Sequence, residues 1–371
     1  YLLKTNSTGD TLWTKTFGGT LGGEYGLCVQ ETKDAGFIIS GSTRNFNTTG
    51  GDGYLVKTDS LGNVQWSKTY GGIRNDEIVT VRENADGGFM LYGSSSSFSP
   101  AATDFDLFLI RTDAVGDTLW AKTYSSAGSD NALCMQQTND SGFVLTGYSN
   151  GFANGQDDAF LLKTDGNGNL QWAKSYGGND SDAGSSVQQT TDGGYVLTGK
   201  THSYGAFANE GDALLVRTDA NGDTLWSKTF GGPGTDWGHS VCLTSDGGFA
   251  VSGETWSYGA GKNDVYVLKT GSSGNLLWSK TYGDTMFDHS RAIHQTSDHG
   301  FILGCNTSTL GGANAGFYVI KTDSMGNSGC NTWYSGPLIR TPAIQTSAQA
   351  ISTARPTFTV TNPATLTGSG T

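Results

Sequence analysis

The chain has little positive charge and no long apolar run. Its 371 residues hold 22 Lys and Arg against 34 Asp and Glu, a formal net charge of −12. Nucleic-acid binding needs clustered cations that neutralise phosphates, so this balance argues against a nucleic-acid partner. No run of about 18 apolar residues is present, which argues against insertion into a membrane.

Proline and cysteine are also scarce, with six and five residues, whereas glycine is abundant at 56. The 15 Tyr, 17 Phe and 9 Trp exclude simple disorder, because such a chain can bury a large core. Low charge and many small polar residues favour a secreted protein. The chain begins at Tyr1 in what reads as the middle of a strand, so we expect an upstream segment.

One segment repeats along the chain. Its pattern is Lys/Arg-Thr-Asp-x-x-Gly-Asn/Asp-x-x-Trp-x-Lys-Thr-Tyr/Phe-Gly-Gly, and its tryptophan recurs every 52 to 54 residues. Self-similarity at this period indicates a repeat architecture. The repeat tryptophans are Trp13, Trp66, Trp120, Trp172, Trp226 and Trp278.

Each unit reads as four strands, which we name A to D. In one unit they cover residues 182–190, 195–199, 213–217 and 224–230, with Gly, Asn and Asp clusters between them. Short β-rich runs bounded by such clusters predict antiparallel hairpins. Four strands per unit of this length predict an all-β fold, a β-propeller with one four-stranded antiparallel blade per repeat.

The strand count predicts seven blades. There are seven C strands, from residues 1–4 to 317–321, but the last lacks a D strand because Cys330 stands where Trp is expected. We expect the propeller domain to cover residues 1–334, with a first blade that is incomplete at the N-terminus. The alternative is six blades, with residues 1–17 completing the last one.

Residues 335–371 are rich in Thr, Ser, Ala and Pro and read as an extended tail or linker. We expect residues 338–371 to pack on the propeller or to dock on a neighbouring chain. Cys305 and Cys330 flank the last C strand and are candidates for a disulfide; the alternative is two unpaired thiols.

The repeats resemble two known kinds of propeller. The Asp-x-x-Gly-Asp-x-x-Trp turn is similar to that of quinoprotein propellers, but the chain has no adjacent cysteine pair and no evident cofactor site. The fuller pattern, Asp-Gly-Gly-Tyr-Val-Leu-Thr-Gly running on to Leu-Leu-Val-Arg-Thr-Asp-Ala-Asn-Gly-Asp, resembles secreted delta-60-like propeller repeats of gram-negative bacteria. Such proteins often end in a sorting domain for type IX secretion, so the resemblance implies export by that route.

An acid precedes every A strand, and near-symmetry would place these acids around the mouth of the central channel. Hard cations prefer several carboxylate oxygens, so the acids are weak candidates for a calcium site. The alternative is that each acid binds its own loop backbone. We expect no other cofactor. The six acids are Glu24, Asp76, Asp130, Asp182, Asp236 and Asp288.

The long D–A and B–C loops share one face of the disc, and variable loops on a rigid scaffold are where binding usually occurs. Five residues on this face or on the inner strand are the ligand-binding candidates: Trp237, His239, Trp256, Tyr258 and His294. The tryptophans would stack sugar rings, or else cover a local loop cluster. We predict no catalytic residue.

The sequence thus predicts a secreted, non-catalytic propeller that serves as a binding or structural module at the cell surface. Its partner would be a protein or a glycan, met by the long-loop face. The alternative is a carbohydrate-active enzyme, a polysaccharide hydrolase or lyase. An enzyme should bring several acids, arginines or histidines that lie outside the repeat pattern together at the channel mouth.

Overall fold

The computed structural model describes residues 1–19, 23–46, 50–99, 104–151, 156–205, 207, 210–308 and 316–328, and the backbone of 332–334, 338–340 and 366–368. The described residues form strands and turns, and no helix among them is long and apolar enough to cross a membrane.

The chain folds into successive antiparallel sheets that follow the repeat. A two-stranded sheet comes first, made of β1 (Leu2–Thr5) and β2 (Thr11–Lys15). Blade 1 is β3 (Tyr25–Glu31), β4 (Phe37–Thr43), β5 (Asp52–Thr58) and β6 (Val64–Gly71). Blade 2 is β7 (Asp76–Glu83), β8 (Phe89–Ser95), β9 (Asp106–Thr112) and β10 (Thr118–Tyr124). Blade 3 is β11 (Asp130–Gln137), β12 (Phe143–Ser149), β13 (Asp158–Thr164) and β14 (Leu170–Tyr176).

The remaining blades continue the same order. Blade 4 is β15 (Asp182–Gln189), β16 (Tyr195–Thr201), β17 (Asp212–Thr218) and β18 (Thr224–Gly231). Blade 5 is β19 (Asp236–Leu243), β20 (Phe249–Thr255), β21 (Asp264–Thr270) and β22 (Leu276–Tyr282). Blade 6 is β23 (Asp288–Gln295), β24 (Phe301–Thr307) and β25 (Gly316–Thr322). The prediction of an all-β propeller with four-stranded antiparallel blades is confirmed.

The prediction of seven blades is wrong, because six sheets contain an A strand. The seventh C strand is β1, and it pairs with β2 in a sheet of its own. Among the described residues, β1 and β2 do not pair with blade 6, so the completion of the last blade by residues 1–17 is not seen.

Three short strands follow the repeats and add to the outer edges of blades. They are β26 (Thr332–Tyr334), β27 (Leu338–Arg340) and β28 (Leu366–Gly368), which pair with β22, β18 and β6. The backbone of β27 and β28 therefore lies on this chain's own propeller. Cys330 lies outside the described residues.

Each joint between blades packs the large face of one sheet against the next sheet. Met90, Leu107 and Tyr124 of blade 2 share one buried cluster with Phe143 and Leu162 of blade 3. Successive side chains of a strand point to opposite faces, so each blade serves two joints. Burial of these aromatic and aliphatic groups is the main stabilising contribution at each joint.

The repeat tryptophan completes the joint by lying on the C–D turn of the next blade. Trp172 stands edge-on to Tyr195, with the ring centroids 5.7 Å apart. Gly222, in the turn of blade 4, has a φ of +79°, and a Cβ on it would lie 2.8 Å from the Trp172 ring. The hydroxyl of Tyr176 donates to the Gly222 carbonyl at 2.6 Å. The glycine is thus needed both for the turn and for the close approach of the ring.

The lysine of the repeat also reaches the next blade. Lys174 Nζ lies 2.6 Å from Asp223 Oδ1, and Lys15 Nζ lies 3.1 Å from Asn63 Oδ1. The repeat lysines therefore contact the C–D turn of the following sheet.

The two ends of the array leave apolar positions exposed. In blade 6, Ile302, Phe317 and Val319 are 39, 51 and 44% exposed. The equivalent Val196, Ala213 and Leu215 of blade 4 are at most 1% exposed, because blade 5 covers them. At the other end, Leu27 and Val29 are 50 and 52% exposed.

Candidate functional site

The acids expected at the channel mouth are mostly the first residues of the A strands, and they are buried. Asp182 shows the arrangement: its Oδ2 accepts hydrogen bonds from the Gly178 backbone at 2.9 Å and the Ser203 hydroxyl at 2.6 Å. Such bonds tie the acid to its own loops. The five A-strand acids, at most 2% exposed, are Asp76, Asp130, Asp182, Asp236 and Asp288.

Glu24 departs from this pattern, because it precedes β3 and is only partly buried. Its Oε1 accepts a hydrogen bond from the Gly19 backbone at 3.0 Å. Among the described residues, no three His, Cys, Asp or Glu side chains are placed to hold a metal ion. Calcium binding at the six acids stays a prediction.

Each A-strand aspartate lies close to a second buried aspartate, the first residue of the C strand in the preceding blade. A Cβ on Gly177 would lie 2.1 Å from Asp158 Oδ1 and 2.8 Å from Asp182 Oδ2, so only glycine leaves room for both carboxylates. The pairs are Asp52–Asp76, Asp106–Asp130, Asp158–Asp182, Asp212–Asp236 and Asp264–Asp288.

In three of these pairs one carboxyl has a pKa of about 7, so it is partly protonated at neutral pH. Burial, and then the charge of Asp182, raise the pKa of Asp158 to about 7. Burial, and then the charge of the paired aspartate, likewise raise the pKa of Asp52 and of Asp106 to about 7. The Oδ1 atom of Asp158 has no hydrogen-bond partner, which disfavours the ionised form further.

A second cluster arises from a β-bulge in every A strand. A bulge inserts one unpaired residue and redirects its side chain. In blades 1 to 3 this residue is apolar, whereas in blades 4 to 6 it is polar. The bulged residues are Leu27, Val79, Leu133, Ser185, His239 and Arg291.

Trp237 links the bulges of blades 4 and 5. Its Nε1 donates to the hydroxyl of Ser185 at 2.8 Å. Its ring lies 4.8 Å from the His239 ring at an interplanar angle of 31°. Lys200 Nζ lies 4.5 Å from the centroid of the Trp237 ring, a cation–π distance. Trp237 is thus held in place and is partly buried.

His239 lies beside an acid from the neighbouring strand. Its Nε2 is 3.8 Å from Glu254 Oε1, and the His239 side chain is 6% exposed. Glu254 Oε2 accepts a hydrogen bond from Asn263 Nδ2 at 2.6 Å. A separation of 3.8 Å is too long for a hydrogen bond, so the buried Nε2 of His239 has no partner.

Blade 6 adds His289, whose Nε2 lies 3.3 Å from Asn306 Nδ2, and the exposed Arg291. We call Lys200, Trp237, His239, Glu254, His289 and Arg291 the inner patch. Burial lowers the pKa of both histidines, and Arg291 lowers both further, so they are neutral at pH 7. The patch therefore offers two cations, one carboxylate and two neutral imidazoles.

The sequence named only Trp237 and His239 from this patch. Lys200, Glu254, His289 and Arg291 occupy strand positions that carry other residue types in the remaining blades. Comparing every blade at the bulge, at the second residue of the A strand and at the B-strand partner of that residue would have found them.

The remaining predicted ligand-binding residues lie outside this contact set. Trp256 is 49% exposed and stands edge-on to Phe287, with centroids 5.7 Å apart. Tyr258 donates to the Gly231 carbonyl at 2.9 Å, as Tyr204 does to Gly177 at 2.8 Å, which is loop packing repeated in two blades. His294 is exposed on β23. Cys305 is a buried free thiol, and its proposed partner Cys330 is not among the described residues.

Comparisons with known proteins show no family. No protein-family model matches the chain, and no curated protein sequence matches it. One similar solved structure is a protein of unknown function from Bacteroides caccae, with 10% sequence identity and a TM-score of 0.45. The match covers 80% of this chain and 93% of that chain. The β-propeller assignment rests on the chain's own sheet order.

Proposed function

We propose that this protein is a secreted, non-catalytic β-propeller that acts as a binding or structural module at the cell surface. It engages a protein or glycan partner with the loop face and the inner strands of blades 4 to 6. The supporting observation is the inner patch, where Trp237, His239 and Arg291 depart from the repeat and hold a buried, unpaired imidazole nitrogen.

Glycan-array and surface pull-down measurements test this proposal. Arg291→Gln should reduce capture of the partner, because it removes an exposed cation of the patch. Arg82→Gln is the matched control: it removes the same charge from the A strand of blade 2, outside the inner patch. Equal capture by both variants and the unmodified chain would count against the patch as the binding surface.

Export is part of the same proposal. Its support is the resemblance of the repeats to delta-60-like propellers, which implies type IX secretion, and the low-charge, small-polar composition. Docking of the tail at residues 338–371 on a neighbouring chain stays a prediction, since β27 and β28 pair with this chain's own blades. Fractionation of producing cells tests export, since the protein should be found in the medium or at the surface. Recovery only in the cytoplasmic fraction contradicts it.

The carbohydrate-active enzyme is a second candidate, favoured by one observation. His239 and Glu254 lie 3.8 Å apart beside Arg291, so an imidazole, a carboxylate and a guanidinium outside the repeat pattern lie together. A hydrolase would release reducing ends from polysaccharide, and a lyase would release unsaturated products. Product formation that His239→Gln abolishes would replace the binding module with the enzyme.

A further inference from the structure

The A strands of blades 1 to 3 differ in polarity from those of blades 4 to 6. At the bulge, blades 1 to 3 carry Leu27, Val79 and Leu133, whereas blades 4 to 6 carry Ser185, His239 and Arg291 in the same backbone geometry. The fold therefore accepts apolar residues at this position, and the polar half is not needed to form the blade.

Folding removes the His239 imidazole from water without supplying a hydrogen-bond partner for its Nε2. Its side chain is 6% exposed and its Nε2 has no hydrogen-bond partner. Buried polar atoms are nearly always paired, so an unpaired one in a polar patch points to a group that the chain itself does not supply. Glu254 Oε1 lies 3.8 Å away, so a single ligand hydroxyl between the two groups could donate to one and accept from the other.

The charge around His239 is locally positive in a chain of net charge −12. Lys200 and Arg291 both act on the charge of His239, from opposite sides of blade 5. The nearest A-strand acids, Asp236 and Asp288, are bonded by loop groups: Ser257 Oγ donates to Asp236 at 2.6 Å, and the Asp284 backbone donates to Asp288 at 3.0 Å. Glu254 is thus the one acid of the patch that faces His239.

We propose that the inner patch binds an acidic saccharide, with sugar carboxylates at Lys200 and at Arg291 and a sugar hydroxyl between His239 and Glu254. This rests on the proposed function and names its ligand class. A uronic-acid unit carries the carboxylate and the neighbouring hydroxyls in one ring. Charge-assisted bonds to the carboxylate give the preference for acidic over neutral sugar. The His239–Glu254 pair would bond a hydroxyl of either sugar, so it contributes to the affinity for acidic and for neutral sugar.

Calorimetric titration tests the ligand class with two probes, the trisaccharide of galacturonic acid and the neutral trisaccharide of galactose. We expect the acidic trisaccharide to bind at least about tenfold more tightly at low salt. Lys200→Gln and Arg291→Gln should each remove most of that difference and leave the neutral probe unchanged. His239→Leu, which installs the residue of blades 1 and 3, should weaken both probes, and Arg82→Gln, on the A strand of blade 2 outside the inner patch, should change neither.

The outcomes separate the inference from the proposed function. Equal affinity for the two trisaccharides, or an acidic preference that survives both cation variants, overturns the carboxylate assignment while the binding module stands. Absence of binding to either probe overturns the saccharide class, and the array and pull-down results then decide the module independently. Thermal unfolding followed by circular dichroism shows that each variant is folded, so a loss of binding is not a loss of structure.

Discussion

The buried aspartate pairs predict that the propeller loses stability as pH rises from about 4 to neutral. A carboxyl whose pKa is higher in the folded chain than in the unfolded chain contributes stability that is fully present below its unfolded pKa and is lost up to the folded pKa. For Asp158 these limits are 3.8 and about 7. The free energy of unfolding should therefore decrease between about pH 4 and pH 7 and then level off.

The magnitude follows from the same two pKa values. The difference between 3.8 and about 7 corresponds to about 4 kcal/mol for complete ionisation of one pair. Asp158 is 5% exposed but lies near the loop face, where solvent screens part of the repulsion, so we expect about 2 kcal/mol per pair. Burial and a paired aspartate also raise the pKa of Asp52 and of Asp106 to about 7 in the folded chain. The wild-type protein should therefore lose more unfolding free energy than one pair accounts for.

Urea denaturation followed by tryptophan fluorescence measures the effect. Asp158→Asn keeps the shape of the side chain and cannot ionise, so at pH 8 it should raise the free energy of unfolding by about 2 kcal/mol relative to wild type. At pH 4 the two proteins should differ little. The comparison is between variant and wild type at each pH, because the lowered pKa of His239 acts in the opposite direction below about pH 6.5.

Asp165→Asn is the matched control. Asp165 accepts backbone hydrogen bonds from Asn167 and Asn169 in an exposed turn, and its side-chain bonds with Asn169 help to lower its pKa although burial acts against this. Its replacement should destabilise the protein at pH 8. An Asp158→Asn variant that is equally destabilised at pH 4 and pH 8 would refute the reasoning, since the pair would then be ionised and bonded at both.

Two further predictions concern the joint between blades 3 and 4. Gly222→Ala should destabilise the protein by about 2–4 kcal/mol, because it combines a left-handed φ with a Cβ 2.8 Å from the Trp172 ring. Gly247 is the control: its φ is +80° but no atom lies near, so Gly247→Ala should lower the unfolding free energy by only about 1 kcal/mol. Equal losses in the two variants would contradict the packing role of the tryptophan. Tyr176→Phe removes the hydroxyl that donates to Gly222 at 2.6 Å and should lower the unfolding free energy by about 1 kcal/mol, whereas an unchanged denaturation midpoint would show that the bond contributes nothing.

The repeat made most of the fold predictable. The strands expected at 182–190, 195–199, 213–217 and 224–230 lie within two residues of β15, β16, β17 and β18 at every boundary. Turns and alternation are local properties, so one repeat predicts all the others. The number of blades was not predictable in this way, because it depends on which sheet β1 and β2 join.

The candidate site was less accessible from the sequence, because its contacts join different blades. Asp158 and Asp182 lie near one glycine although 24 positions separate them in the chain. Trp237 bonds to Ser185, which is 52 positions away. His239 was named for its type and its neighbours in the sequence, but its buried, unpaired nitrogen depends on the B strand that carries Glu254.

The contacts between adjacent blades determine how the propeller unfolds. The Trp172 ring, the Tyr176 hydroxyl and the Gly222 carbonyl belong to two adjacent blades, so these contacts form within a single joint. Stability in such an array is a sum over nearest neighbours, as in a one-dimensional chain of coupled units. Among the described residues, blade 6 packs on blade 5 and leaves Ile302, Phe317 and Val319 exposed on its other face. Hydrogen exchange should therefore be fastest at the ends of the array and slowest in blades 3 and 4, with the joint rather than the blade as the cooperative unit.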